Sequence, residues 1–360
     1  MENQIIKNRL SKFRDRLREK NLDGALIVKR ENYIYLSGFT GTSAFLVITD
    51  DKAFLLTDFR YVEQAGKQAP EYEIVKYQGN VLAAVNELIV SNSIKRLAFE
   101  ENFMTFDSYR EFDEKLEISE FLPLEGAVEA LRIVKDAWEI ETIKKAVSVA
   151  DGAFSHVLNH IKPGVAEVEI AAEIEYFMKK QGARGPSFET IVASGERAAM
   201  PHGVASERKL QMGDAITLDF GALYMDYCSD MTRTVFLGQP AEELKKIYNI
   251  VLEAQLMGIE GAKAGMTGKQ IDAIAREHIA GKGYGDHFGH GLGHGVGLEI
   301  HEEPRLSLMG GTVLQDGMAV TVEPGIYLSG LGGVRIEDII IINGGSPSVL
   351  TSSTKEMIIL

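Results

Sequence analysis

The first 131 residues alternate short apolar runs with helical periods. Residues 24–28, 43–48 and 53–56 are aliphatic stretches bounded by turn residues, and each predicts a strand. Residues 81–89 carry the spacing of an amphipathic helix, and 96–99 predict a further strand. This α/β pattern contains no histidine. Around Arg132-Ile133-Val134-Lys135-Asp136 the pattern changes. Ile140, Ile143, Val147, Ala150, Phe154, Val157 and Ile161 then recur at steps of three and four, the stripe of a long helix. Lys162-Pro163-Gly164 ends it. The expectation is two domains, 1–131 and 132–360, and 360 residues suffice for two cores.

The second part repeats itself. Lys162-Pro-Gly-Val-Ala-Glu-Val-Glu-Ile170 resembles Lys263-Ala-Gly-Met-Thr-Gly-Lys-Gln-Ile271 at an offset of 101 residues, with Ala172 matching Ala273 and Gly182 matching Gly283. Each copy lies between a long helix and a glycine-rich loop, so duplicated halves are expected, with a site at their interface.

Four apolar runs in this part carry carboxylates. In 214–221, Ile216 and Leu218 point one way while Thr217 and Asp219 point the other. The run 227–235 embeds Asp230, and 319–325 ends in Glu323-Pro324. In 334–341, Arg335 and Glu337 share one face of a strongly apolar strand. An acid in such a strand must be paired, hydrogen-bonded or bound to metal.

Composition adds exclusions. The 45% hydrophobic and 25% charged content is that of an ordinary soluble protein. No apolar run approaches the roughly 20 residues that span a bilayer. The polar start Met1-Glu2-Asn3-Gln4 predicts no signal peptide. A single cysteine, Cys228, precludes an internal disulfide framework and fits a reducing cytoplasm. A net charge of −14 argues against nucleic acid or an anionic membrane as partner.

Three of the eight histidines fall in Gly289-His290-Gly-Leu-Gly-His294-Gly-Val-Gly-Leu-Glu-Ile-His301-Glu302. Four strand carboxylates with one or more of these histidines form an oxygen-rich donor set. It suits two divalent ions such as Mn²⁺, Co²⁺ or Zn²⁺.

The order Asp219, Asp230, His294, Glu323, Glu337 lies within Asp-Phe-Gly, Ser-Asp-Met-Thr-Arg-Thr, Gly-His-Gly-x-Gly-His, Glu-Pro-Gly and Arg-Ile-Glu-Asp. With His-Glu-x-Pro at 301–304, it resembles the pita-bread metallopeptidases of family M24, and among them the Xaa-Pro branch of aminopeptidase P and prolidase. The resemblance implies an α/β pita-bread catalytic domain with an internal pseudo-two-fold repeat, behind a creatinase-type (ribonuclease-H-like) α/β domain. It implies that Asp219 chelates one metal, that His294 and Glu323 bind the other, and that Asp230 and Glu337 bridge them. Mn²⁺ or Co²⁺ is expected first, with Zn²⁺ also admissible. A hydroxide between the cations would be the nucleophile, with Glu323 as proton shuttle. By the same resemblance His202 contacts substrate near the scissile bond, His301 stabilises the tetrahedral intermediate and His290 lines the pocket. Tyr327 and Arg335 stand just behind the ligands.

The bland reading is kept for the other candidates. Glu302, Glu303 and Asp338 are expected to face solvent or form salt bridges, and Asp226 and Cys228 to be structural. His287 is taken as a solvated loop residue, His156, His160 and His278 as helix-surface residues, and Trp138 as an interdomain packing residue. The expected activity is release of an N-terminal residue that precedes proline, from a dipeptide or a longer peptide, by a cytoplasmic homodimer. A methionine aminopeptidase shares the metal set, but the first domain and His-Glu-x-Pro fit it less well. A non-catalytic pita-bread binding protein, or metal-free creatinase, would have lost ligands that are all present here.

Overall fold

The computed structural model describes residues 2–360. The chain divides into two compact units, Met1–Arg132 and Ile133–Leu360.

The first unit is built on strands β1 (Gly24–Ile27), β2 (Phe45–Thr49), β3 (Ala53–Thr57), β4 (Glu73–Lys76), β5 (Arg96–Phe99) and β6 (Glu120–Pro123). They form one sheet in the order β4-β3-β2-β1-β5-β6. Strand β2 runs antiparallel to β1 and β3, and the remaining pairs are parallel. Strands β1 and β3 are buried along their length, as befits a sheet covered on both faces. The predicted helix is Val81–Ser91; the Asn80 side chain caps it by accepting from Leu82 N–H, and Leu82, Val85 and Ile89 face the sheet core. Glu100 is buried here, accepting from the Val28 and Lys29 amides and from Asn32. Burial still pushes its carboxyl up to about 7.

The second unit begins with a capped helix, Ala137–Val157. Asp136 accepts from Glu139 N–H, and Glu139 accepts from Asp136 N–H in return. The helix stops at Val157, short of the Ile161 that its stripe predicted. His160 N–H bonds back three residues to Val157 in a closing turn, and Pro163 disfavours helix at the residue before it. Ile161 is nonetheless buried, so the stripe marks the core rather than the helix length. Trp138 packs edge-on against Tyr227, 5.6 Å away in the same unit.

The repeat is real in the backbone. Helices Glu167–Lys180 and Gly268–Gly281 start and stop 101 residues apart. Gly164 N–H bonds to Leu210 O in one half, and Gly265 N–H bonds to Leu314 O in the other. Gly164 and Gly265 have φ of 88° and 90°, a conformation that glycine adopts without a Cβ penalty.

Strands Ile191–Ser194, Ala215–Phe220 and Met231–Phe236 form an antiparallel sheet. A five-stranded sheet runs Glu302–Leu306, Gly293–Gly295, Ala319–Val322, Asp338–Ile341, Ser348–Val349. Two predicted strands are broken at their acids. The run 227–235 divides into Tyr227–Cys228 and Met231–Phe236, with Asp230 between them. The run 334–341 divides into Gly332–Arg335, which pairs with Gly325–Leu328, and Asp338–Ile341, which pairs with Ala319–Val322. Arg335 and Glu337 therefore do not share one strand face; the chain changes sheets between them.

Candidate active site

Strand Ala215–Phe220 is buried throughout. Ile216 and Leu218 enter an apolar cluster, which leaves Asp219 on the opposite face. There its Oδ2 accepts from Arg335 Nη2 at 2.6 Å. Asp230 immediately precedes the neighbouring strand, Glu323 immediately follows Ala319–Val322, and Glu337 occupies the crossing between sheets. Each acid thus sits where a strand ends or its ladder breaks, apart from Asp219.

His294 is the middle residue of Gly293–Gly295. Its amide donates to Thr321 Oγ1 at 3.0 Å, and its Nδ1 lies 3.1 Å from Gly295 O, which turns Nε2 toward the acids. Nε2 is 3.2 Å from Glu323 Oε1 and 3.6 Å from Asp230 Oδ2. Ligand atoms of Asp230, His294 and Glu337 all lie within 4.8 Å of one another.

The glycines of this run serve the packing of neighbouring backbone. A Cβ on Gly293 would stand 2.0 Å from Thr321 O, and one on Gly295 would stand 2.2 Å from Glu303 O. Among the described residues none of the glycines from 289 to 297 has a positive φ. They bring strands together rather than turn the chain.

The electrostatics are those of a site built for cations. Burial, then the charges of Glu337, Asp219 and Glu323, pushes the Asp230 carboxyl well up. Burial, then Glu323 and Asp219, does the same to Glu337, whose Oε1 is sealed from solvent without a hydrogen-bond partner. Burial also raises Asp219, against the Arg335 charge. Glu323 goes the other way: burial would raise it, but the His294 contact and the His294, His290 and Arg335 charges bring it down to about 2. Three buried carboxylates and half-buried Glu323 around one imidazole, with an orphaned oxygen among them, fit divalent cations.

Behind this cluster runs a hydrogen-bonded chain. Arg335 Nη1 donates to Tyr327 Oη at 2.9 Å, and Tyr327 Oη lies 2.8 Å from His290 Nε2. His290 Nδ1 is 2.8 Å from Gly291 O, so the hydroxyl donates to Nε2. Burial lowers the His290 pKa and raises that of Tyr327. His301 stands edge-on to His294 with centroids 4.4 Å apart; burial, then the His294 charge, pushes it down to about 4.

A cavity of about 510 Å³ opens over the cluster. Asp219, Asp230, His294, Glu323, Glu337, His202, His290, His301 and Arg335 all line it. Tyr327 does not; it reaches the site only through His290 and Arg335. Elsewhere the wall carries apolar Phe188, Ile191, Val204 and Ile300, the acid Glu189 and the cation Arg305. Among the described residues no ion pair engages the Arg305 side chain.

Three contributors escaped the sequence reading. Thr232 Oγ1 donates to Glu337 Oε2 at 2.6 Å and accepts from Arg335 Nε at 3.0 Å. Thr321 holds the His294 amide and donates to Glu323 Oε1 at 3.2 Å. Each lies two residues from an acid, the spacing that could have flagged it. Arg305 had no such signal.

The residues given the bland reading fall outside the cluster. Asp338 is fully buried between Arg233 and Lys355, not in solvent. Glu302 is buried against Lys135, while Glu303 is exposed. Asp226 pairs with Arg184, Cys228 is buried, and exposed His287 faces Tyr327 O. Among the described residues no helix is long and apolar enough to cross a membrane.

Residues 141–344 match metallopeptidase family M24, and residues 9–134 match the creatinase/prolidase N-terminal domain. The chain is 47% identical to the uncharacterized peptidase YqhT of Bacillus subtilis, over 98% of this chain and 100% of that one. The structure of an Xaa-Pro dipeptidase from Bacillus anthracis superposes with a TM-score of 0.97 at 50% identity, covering 99% of this chain and 100% of that one. An X-Pro aminopeptidase from Thermotoga maritima superposes with a TM-score of 0.91 at 39% identity, covering 96% and 100%.

Proposed function

The chain belongs to metallopeptidase family M24, a pita-bread domain behind a creatinase-type one, and from that premise we propose that it hydrolyses the bond between an N-terminal residue and proline, with Xaa-Pro dipeptides preferred. The observation that carries the reading is the four-carboxylate, one-histidine cluster at the floor of a partly apolar cavity that Arg305 also lines, with no ion pair to its guanidinium among the described residues. The apolar wall suits a pyrrolidine ring. Arg305 suits the carboxylate that a dipeptide presents immediately beyond that ring.

Asp219 would hold one cation, His294 and Glu323 the other, with Asp230 and Glu337 shared between them. Mn²⁺ or Co²⁺ suits this oxygen-rich set, and Zn²⁺ fits it as well. Bound there, such a pair supplies Lewis acidity to the scissile carbonyl and lowers the pKa of water toward neutrality. Glu323 is ionised and accepts a proton from the attacking water at a carboxylate oxygen. It returns that proton to the prolyl nitrogen, which has none of its own in the peptide and must gain one to leave. His301 is neutral at pH 7 and donates an N–H to the oxygen on which charge develops. His290, locked by Tyr327 and Gly291, forms a fixed wall, and His202 meets the substrate at the rim. Arg335 keeps Asp219 oriented. A cytoplasmic homodimer completes the reading, supported by the lone cysteine and by the prevalence of two-fold oligomers.

The test is hydrolysis by the purified chain, supplied with Mn²⁺ or Co²⁺, of an Xaa-Pro dipeptide, an Xaa-Pro-Pro tripeptide and a Met-Ala peptide. The dipeptide should be cleaved fastest and Met-Ala left intact. Faster cleavage of the tripeptide would group the chain with X-Pro aminopeptidases. Cleavage of Met-Ala alone would overturn the proline reading, and no cleavage at all would favour a binding protein.

A further inference from the structure

Outside the peptidase cavity, a second group of metal-ligating side chains converges at the end of helix Ala137–Val157. His156 lies in its last turn, His160 in the turn that closes it, and Glu173 on the neighbouring helix Glu167–Lys180. Ligand atoms of the three lie within 4.8 Å of one another. His156 Nε2 is 2.5 Å from Glu173 Oε1, and His160 Nε2 is 3.7 Å from the same oxygen.

We propose that His156, His160 and Glu173 form a further binding site for a borderline transition-metal cation of the Zn²⁺ class. The site is independent of the catalytic cluster.

Four physical features support it. Two imidazoles four residues apart face the same way on a helical turn, the spacing at which paired histidines chelate one ion. Each ring is held in place. His160 Nδ1 lies 3.2 Å from His156 O, which directs its proton to the carbonyl and leaves the Nε2 lone pair for a ligand. Phe177 stacks on His156 at 4.6 Å with the planes 24° apart. The carboxylate is an anion, because the hydrogen bond from His156 and the nearby imidazole charges keep the Glu173 pKa low. Finally, the carbonyl end of the 21-residue helix carries the negative pole of its dipole, which favours a cation there.

The geometry needs little adjustment. Tetrahedral ligands about 2.0–2.1 Å from Zn²⁺ stand roughly 3.4 Å apart. The carboxylate must therefore withdraw by about 1 Å from His156 while His160 keeps its place. His160 is exposed and the other two are half-buried, so water can complete the coordination. Two nitrogens and one oxygen favour Zn²⁺ or Ni²⁺ over Mg²⁺ or Ca²⁺.

The experiment is equilibrium dialysis of the full chain against micromolar free Zn²⁺, followed by elemental analysis and dipeptide turnover with Mn²⁺. The variants are His160→Asn, Glu173→Gln and, as a control, His278→Asn, a surface histidine paired with Glu253. The expected result is one zinc equivalent fewer in the first two variants than in the unsubstituted chain or the control, with turnover unchanged in all. Equal zinc content in all four proteins would overturn the site. So would a loss in the control equal to that in the two variants. Because zinc content is the readout, the result stands apart from the peptidase reading.

Discussion

At the scale of single residues, the site depends on side chains doing two tasks at once. The Thr232 hydroxyl fixes Glu337 by donating and Arg335 by accepting, and Arg335 in turn orients Asp219 and Tyr327. Arg305 is the outlier, a guanidinium on the cavity wall that makes no ion pair among the described residues. If it receives the substrate carboxylate, Arg305→Ala should raise KM for an Xaa-Pro dipeptide about tenfold or more, the worth of one charged hydrogen bond. It should leave kcat near its original value and spare the corresponding Xaa-Pro amide. Equal losses on acid and amide would remove Arg305 from substrate recognition. The acids were legible in the sequence because charge is out of place in an apolar strand, and the histidines because three of eight crowd into one glycine-rich run. Thr232 and Thr321 were not, because a β-branched residue in a strand is ordinary. Arg305 belongs to a strand of alternating burial, where an exposed cation attracts no notice.

At the scale of elements, two of the predicted strands, 227–235 and 334–341, were right in place and wrong in continuity, while those of the first unit ran unbroken. An apolar run records that both faces are buried; it says nothing about which sheet receives each half. The breaks at Asp230 and Glu337 came from competing ladders, and they aim both carboxylates inward. The same holds for the loop bearing His301. Glu302 follows it and is sealed against Lys135 at 2.9 Å, with side-chain exposures of 6% and 1%, while its Oε1 accepts from Glu299 N–H. A Cβ on Gly297 would stand 2.8 Å from this carboxylate. Lys135→Met would remove the buried cation that faces this acid. Chemical denaturation should then show a loss of about 3–5 kcal/mol, with much of it recovered in the double variant Lys135→Met, Glu302→Leu. A loss below about 1 kcal/mol would mean that the pair does not tie down this loop.

At the scale of the whole chain, few identities announced the repeat, yet its backbone is duplicated. The reason is visible in the glycines. Gly164 and Gly265 are 101 residues apart, but Gly213 and Gly317, equivalent left-handed turns, are 104 apart, so loop lengths shift the frame before the strands are reached. The two halves contribute Asp219 and Asp230 on one side, and His294, Glu323 and Glu337 on the other. Part of the net charge of −14 is therefore concentrated in one cluster, where like charges oppose folding until cations arrive. Metal binding must then stabilise the fold, by about 2.7 kcal/mol for an ion present at about a hundred times its Kd.

Equilibrium unfolding of the chelator-treated chain and of its Glu337→Gln variant, each with and without Mn²⁺, tests this most directly. The substitution should make the metal-free protein more stable, by about 1–2 kcal/mol, because a neutral amide relieves the repulsion and can still accept from Thr232. It should also abolish most of the stabilisation that Mn²⁺ confers on the original chain. A variant that is less stable without metal, yet gains as much from Mn²⁺ as the original, would contradict the assignment of this cluster as the metal centre.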